Sequence, residues 1–418
     1  MSGSPAGSAE ARRPTAGTPV PTASGPVPTA SGPVPTASGS GPAGFLAHRP
    51  ALRPDVLLSP ALLHGPATVH LIKDPEGGAA FEVGVKEYFL ISRLDGVRSL
   101  GEIGEEYADA FGKRLAEPHW KRLLGLLGTR GLLAGAPARP APAATGPEAP
   151  TAAAVTASGP FNGTLLRGTM RLVADANATT GRLHRLLRPV LRAPFLLPLT
   201  GLLAAMEVLL ASALPELAGD TWWLFHQPVA LIAVFTLLWL STALHELAHG
   251  VAARHYGGTV SEIGLRWRLP MAVMYCTVDN YRYLRTRWHQ FVVAGAGAFA
   301  NLLFLPPFLA WWAALPAGDP TRRVLSGLLL LGSVQALVNL LPLPPLDGYT
   351  MLGHALRVSR LGPESGRYLR LRLGDRAAAA AYPRRARTLY LGYAVGSALL
   401  VVLILAALAT GLYFNLVH

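Results

Sequence analysis

The sequence predicts a polytopic α-helical membrane protein of about five spans. It adds a small α+β, winged-helix-like N-terminal cytosolic domain and a disordered N-terminal tail. Three observations lead there. Hydrophobic residues make up 51% of the 418 residues and charged residues only 15%, a balance suited to several bilayer-spanning helices. Five apolar stretches, near 194–214, 228–250, 290–314, 324–346 and 388–413, approach the roughly 20 residues that cross a hydrocarbon core. Pro-Val-Pro-Thr-Ala-Ser-Gly runs three times in succession from Pro19 to Gly39, a pattern with almost nothing to bury.

Taken in order, residues 1–49 form the Pro/Ala/Thr-rich tail, with no apolar core to act as a cleavable signal, so a cytosolic N-terminus is the expectation. Residues 50–135 form the small domain. Two extended segments, Thr68–Ile72 and Ala80–Val83, precede three helical patterns. The first covers Val85–Arg93 and ends at the turn Leu94-Asp95-Gly96. The second starts at Ser99, an N-cap with Glu102 three residues on, and reaches Phe111. The third covers Glu117–Thr129 and stops at Gly131. Residues 136–160, rich in Ala and Pro, read as a linker, 161–193 as a basic juxtamembrane segment, and 194–418 as the membrane domain. The first span contains Glu207 and the third Pro306-Pro307. A carboxylate at that depth must face the bundle interior or water, and the prolines need neighbours that satisfy the freed carbonyls.

The formal charge of +13 raises nucleic acid as a partner, and its distribution excludes it. Residues 50–135 carry ten Lys/Arg against eleven Asp/Glu, so the domain has no basic face. Arginines instead gather in segments flanking the spans: six in 167–192, six in 252–289 and nine in 347–387, against none in 215–227 and two in 315–323. Short arginine-rich loops stay in the cytosol, which predicts a multi-pass cell-membrane protein with its N-terminus and long loops cytosolic and its C-terminus outside. Cys276 is the single cysteine, excluding an internal disulfide framework and a cysteine-rich zinc site.

The second span closes on Ser241-Thr-Ala-Leu-His245-Glu246-Leu-Ala-His249-Gly250. Two histidines four residues apart lie on one helix face and can bind one Zn²⁺, and the glutamate beside the first can activate water as general base. Such a motif at the end of a bilayer-length segment points to proteolysis at or inside a membrane. Catalytic zinc sites use three protein ligands, and the best third candidate is Asp347, in Asn339-Leu-Leu-Pro-Leu-Pro-Pro-Leu-Asp347-Gly348-Tyr349, placed by the topology at the depth of the histidines. The same Leu-Asp-Gly at Leu94–Gly96 falls in the soluble domain, where Asp-Gly is an ordinary turn, and Asp95 is rejected as a ligand. His255 lies off the ligand face, at the cytosolic interface. His354 is a surface residue, or supports Asp347 if the helix continues, and Cys276 reads as a small apolar residue. Asn339 is a candidate polar contact for substrate.

On these residues, 195–413 resembles the site-2 protease family of intramembrane zinc metalloproteases. The likeness rests on His245-Glu246-x-x-His249, on Asn339-x-x-Pro342-x-x-Pro345-Leu-Asp347-Gly348, and on Ala294-Gly-Ala-Gly-Ala-Phe-Ala-Asn301. It implies Zn²⁺ held by His245, His249 and Asp347, with Glu246 catalytic and the site open to cytosolic water. Tyr349, where many members have a second glycine, looks more like the branch named for peptide zinc metalloproteases. Residues 50–135 resemble the PqqD-like domains that bind leader peptides of ribosomally made, modified peptides, through Phe81-Glu-Val-Gly84, Leu94-Asp-Gly96, Ser99-Leu-x-Glu102-Ile103 and Gly131-Leu-Leu133. That likeness implies a peptide partner added as a strand beside the domain's own. The resulting expectation is a zinc endopeptidase processing a precursor peptide. The alternatives are regulated cleavage of a membrane-anchored signalling protein and a non-catalytic membrane peptide receptor.

Overall fold

A computed structural model describes residues 42–75, 80–135 and 161–417. The repeat tail and the 136–160 linker lie outside the described residues. The chain divides into two units, Met1–Phe45 and Leu46–His418; the first is described only from the start of a short helix, α1 (Pro42–Leu46).

The second unit begins with the small domain. Strand β3 (Ala67–Lys73) is its centre. It pairs antiparallel with β4 (Ala80–Gly84) on one side, and with β1 (Leu57–Leu58) and β2 (Leu62–His64), set end to end, on the other. Three helices follow: α2 (Val85–Ile91), α3 (Leu100–Phe111) and α4 (Glu117–Thr129). The capping box forms as expected: Ser99 Oγ accepts from the Glu102 N–H, and the Glu102 carboxylate accepts from the Ser99 N–H at 2.6 Å. Gly112 and Gly131, both left-handed, end α3 and α4. Ile72, Ile91, Leu100, Ile103, Trp120 and Leu127 are fully buried between the sheet and helices, so the unit has a core of its own.

The sequence reading missed a second sheet. Strands β5 (Phe161–Gly163), β6 (Arg167–Arg171), β7 (Val260–Arg268) and β8 (Met271–Val278) pair antiparallel in that order. Helix α5 (Ala176–Leu187), N-capped by Asp175, packs against β7 and against the second span. The basic juxtamembrane segment thus contributes two strands and a helix, and the loop at 252–289 a hairpin. Their alternating arginines, read as topology signals, alternate because they line one face of a sheet.

Helices α6 (Ala193–Ser212), α7 (Leu214–Leu224), α8 (Pro228–His255), α9 (Arg287–Phe304), α10 (Pro306–Ala314) and α11 (Pro320–Asn339) build the bundle. A single 3-10 turn, Tyr281–Tyr283, precedes α9. Then come α12 (Asp347–Leu356), α13 (Leu361–Gly374), α14 (Arg376–Ala380) and α15 (Arg384–Val417). Among the described residues, five helical segments are long and apolar enough to span a membrane: α6, α8, α9 with α10, α11 and α15. They coincide with the five expected stretches, with one correction. The fourth ends at Asn339 rather than near 346, because Pro342, Pro344 and Pro345 cannot continue a helix; Asp347 therefore opens a new helix instead of closing the span. Leu203, Leu217, Leu224, Leu305 and Leu329 form the bundle core, while Ile232, Phe235, Val402 and Leu405 face outward, as a lipid-facing surface requires. Glu207 turns inward and accepts a hydrogen bond from Ser333 of α11 at 2.9 Å.

The small domain and the bundle meet at β2. The Leu63 N–H donates to Arg357 O and the Ser359 N–H to Leu63 O, both at 2.9 Å, so the segment after α12 pairs with the edge of the N-terminal sheet. Tyr390 Oη donates to Gly65 O at 3.2 Å, and Lys73 Nζ to Asp279 O at 2.7 Å.

Candidate metal centre

Helix α8 presents His245 and His249 one turn apart, and α12 begins with Asp347, whose charge is favoured at a helix N-terminus. Gly348 is dictated by this junction: a Cβ there would collide with the carbonyl of Leu340, because the 340–346 loop folds back over the start of α12. The three side chains converge. His245 Nε2 and His249 Nε2 are 3.1 Å apart, and Asp347 Oδ2 lies 3.0 Å from the first and 3.5 Å from the second. Ligands at zinc distances of ~2.0–2.1 Å around a tetrahedral ion are separated by about 3.3 Å, so this triangle fits a single zinc. Asp347 Oδ2 is buried and receives no hydrogen bond despite those neighbours, the condition of an atom whose partner is a cation. Burial pushes the Asp347 carboxyl up, and the two imidazoles beside it more than offset this, holding it below the usual carboxylate range. Among the described residues this is the one cluster of three ligating side chains with metal-site geometry.

Helix α9 orients both rings from behind. His249 Nδ1 donates to Val293 O at 2.7 Å, and His245 Nδ1 meets the Asn301 side-chain amide at 3.1 Å. Ser241 Oγ sits 3.1 Å from the other end of that amide. In the structure Ser241 Oγ donates to Asn301 Oδ1 and the amide nitrogen faces His245 Nδ1; ligation through Nε2 would place a proton on Nδ1 and turn the amide over, its oxygen then accepting from the ring. Between them lies Gly297, where a Cβ would stand 2.5 Å from the His245 ring. Val293, Gly297 and Asn301 recur every four residues on one face of α9, so the small-residue run in the third span is the seat of the histidines. Sequence reasoning quoted that run without giving Asn301, Val293 or Gly297 a role; the available signal was the i, i+4, i+8 spacing itself.

Glu246 follows His245 on α8, is largely buried, and places Oε1 4.0 Å from His245 Nε2. It borders the triangle without joining it, as a general base must. Cys276, on β8 near Gly250, has its thiol pushed up to about 12 by burial and by the nearby carboxylates, which fits an unreactive apolar role. Tyr281 donates its hydroxyl to Gln290 O at 2.7 Å and packs edge-on against His354; burial and the Asp347 charge push its phenol upward. Helix α12 does continue to His354. Asn339 ends α11, half-buried, and its side chain makes no hydrogen bond among the described residues. His255 pairs with His184 at 3.2 Å. Asp95 caps a turn by accepting from the Val97 and Arg98 N–H groups, which draws its exposed carboxyl down to about 2, as its rejection as a ligand requires.

Comparison with known proteins agrees with this geometry. The chain is 31% identical over 191 residues, covering 38% of its length and 68% of the relative, to Rip2 of Mycolicibacterium smegmatis. It is 30% identical over 138 residues, covering 33% of its length and 34% of the relative, to sll0528 of Synechocystis sp.. Both relatives carry names that read "Putative zinc metalloprotease". No family model matches the chain, and no solved structure does.

Proposed function

The chain belongs to the site-2 protease-like zinc metalloproteases, and from that premise we propose that it is a membrane-embedded endopeptidase that processes a ribosomally made precursor peptide recruited by its own N-terminal domain. The observation that carries the reading is the convergence of His245, His249 and Asp347 with Glu246 alongside. Zinc bound there would supply Lewis acidity to the scissile carbonyl and lower the pKa of water toward neutrality. Glu246 Oε1 takes the proton of the attacking water and returns it to the leaving amine. His245 and His249 keep their rings fixed through Asn301 and Val293 O, so no reorientation is needed as charge develops. Asn339, at the mouth of the 340–346 loop, offers an uncommitted amide to the substrate backbone.

Residues 50–135 serve as a PqqD-like, winged-helix-like recognition module. Two features support this. Strand β4 pairs on one side only among the described residues, leaving an edge that an extended peptide can extend. The other edge is taken at β2 by residues 357–359, about ten residues beyond Asp347, which supports a reading with module and metal centre on one side of the bilayer. The arginine distribution makes that side cytosolic. Cleavage of a membrane-anchored protein is the second reading, favoured by the placement of both histidines within a span-length helix.

The test uses the purified full chain with short peptides translated from the reading frames that neighbour its own and, separately, a membrane-anchored reporter. Precursor cleavage is expected to fall by about 10²–10⁴ in Glu246→Gln with zinc retained, and to be lost when 50–135 is deleted. Cleavage of the reporter alone, indifferent to that deletion, would favour the second reading.

A further inference from the structure

A cavity of about 190 Å³ opens between β2, the 281–283 turn and α12, away from the metal triangle. Leu62, Arg282, Tyr349, His354 and Arg360 line it. We propose that it is a carboxylate subsite, taking one acidic side chain or the C-terminal carboxylate of the peptide substrate. The proposal rests on the endopeptidase reading above and names the substrate chemistry that reading leaves open.

Charge is the first argument. No Asp or Glu lines the cavity. The guanidinium groups of Arg282 and Arg360 carry no hydrogen bond or ion pair among the described residues, although surface arginines elsewhere in the protein, such as Arg93, Arg98 and Arg322, are paired. His354 adds an imidazole with no hydrogen-bond partner. Burial and the nearby Arg282 charge hold it at about 4, so it is neutral at pH 7 and free to donate. Two arginines and a neutral imidazole along one cavity wall are the donor set that suits a planar carboxylate.

Position and size supply the rest. His354 follows Asp347 by seven residues on α12, two turns or ~10 Å along the same face. The cavity thus lies at the seam where β2 meets the segment after α12, beside the helix that carries Asp347. Arg360 is held in a left-handed backbone conformation that a non-glycine residue adopts only under constraint, and the constraint is the pairing of Ser359 with Leu63. Docking of the N-terminal domain therefore sets one wall of the cavity and one of its cations. The volume is well below the ~300 Å³ at which small-molecule pockets begin, so it suits one residue's side chain.

The test measures binding to the full-length Glu246→Gln protein in phosphatidylcholine nanodiscs, so that cleavage does not enter. The probes are three N-acetylated, unlabelled peptides read by isothermal titration calorimetry: Ala-Ala-Glu-Ala-Ala amide, its Gln counterpart as the amide, and the Gln counterpart with a free carboxylate. One or both acidic peptides are expected to bind about tenfold more tightly than the neutral amide at low salt, less so at high salt, and the pair separates side-chain from C-terminal recognition. Arg282→Gln with Arg360→Gln is expected to bring the ratio to about one, and the corresponding double Lys variant to keep part of it. Equal binding of all three peptides would overturn the subsite, as would discrimination that survives the Gln variant. Loss of discrimination in phosphatidylglycerol nanodiscs would overturn it in favour of a lipid headgroup. Discrimination that stands while the wild-type protein cleaves nothing would keep the subsite and sink the endopeptidase reading.

Discussion

Each ring nitrogen that faces the candidate metal position is aimed by the nitrogen on the far side of its ring. His245 leans on Asn301 and His249 on the Val293 carbonyl, which fixes tautomer and direction together. Asn301→Ala is accordingly expected to weaken zinc affinity by about 10–100-fold, read by competition with a chromogenic chelator. Gly297→Val is expected to do at least as much, because its side chain would occupy the space of the His245 ring. Unchanged affinity in both variants would mean that α9 has no part in holding the metal. The three candidate ligands that the structure brings together were legible in the sequence, since His-Glu-x-x-His is a local pattern and Asp347 stands out as a carboxylate among apolar residues. Asn301, Val293 and Gly297 were not, because their role depends on α9 lying against α8, a packing relation between residues about fifty apart in the chain. Arg282 and Arg360 were hidden in the same way, being brought together by a turn and a loop seventy-eight residues apart.

At the scale of elements, α12 links the metal ligand at its first residue to His354 two turns later. The imidazole is held at about 4, below its unfolded value near 6.5. The unfolded chain therefore binds the extra proton first on acidification: the stability is present above pH ~6.5 and is lost as pH falls toward 4. Between about pH 7.5 and 5 the loss from this group is about 2 kcal/mol. His354→Phe is expected to flatten that part of the unfolding midpoint's pH dependence in micelles; a profile parallel to the wild type would show that His354 titrates normally. The span-length helices were readable because apolar length is local. The end of α11 was misplaced because a hydropathy run continues through Pro342, Pro344 and Pro345 while the helix does not. The sheet β5–β8 escaped because β6 and β7 are some ninety residues apart, and neither strand of so short a pair declares its partner.

At the scale of the whole molecule, the small N-terminal domain is joined to the bundle by backbone pairing as well as by the chain. Leu63 exchanges two hydrogen bonds with residues 357 and 359, and Glu364, itself buried, lies 3.8 Å from His64. Ser359→Pro removes the N–H that Leu63 O accepts. It is expected to raise amide exchange across β2 by about tenfold while leaving α8 and α11 protected; unaltered exchange at Leu62–His64 would mean that the pairing does not hold the module in place. Apart from the shared α+β character, nothing in residues 50–135 announced this contact, since both partners are short edges whose pairing is set by the fold around them. Metal content is the decisive measurement. The purified full chain is expected to hold close to one zinc per molecule, and His245→Ala, His249→Ala and Asp347→Ala each to lose it, while Glu246→Gln keeps it. Full zinc occupancy in Asp347→Ala, or no zinc in the wild type, would contradict the three-ligand centre on which everything else here is built.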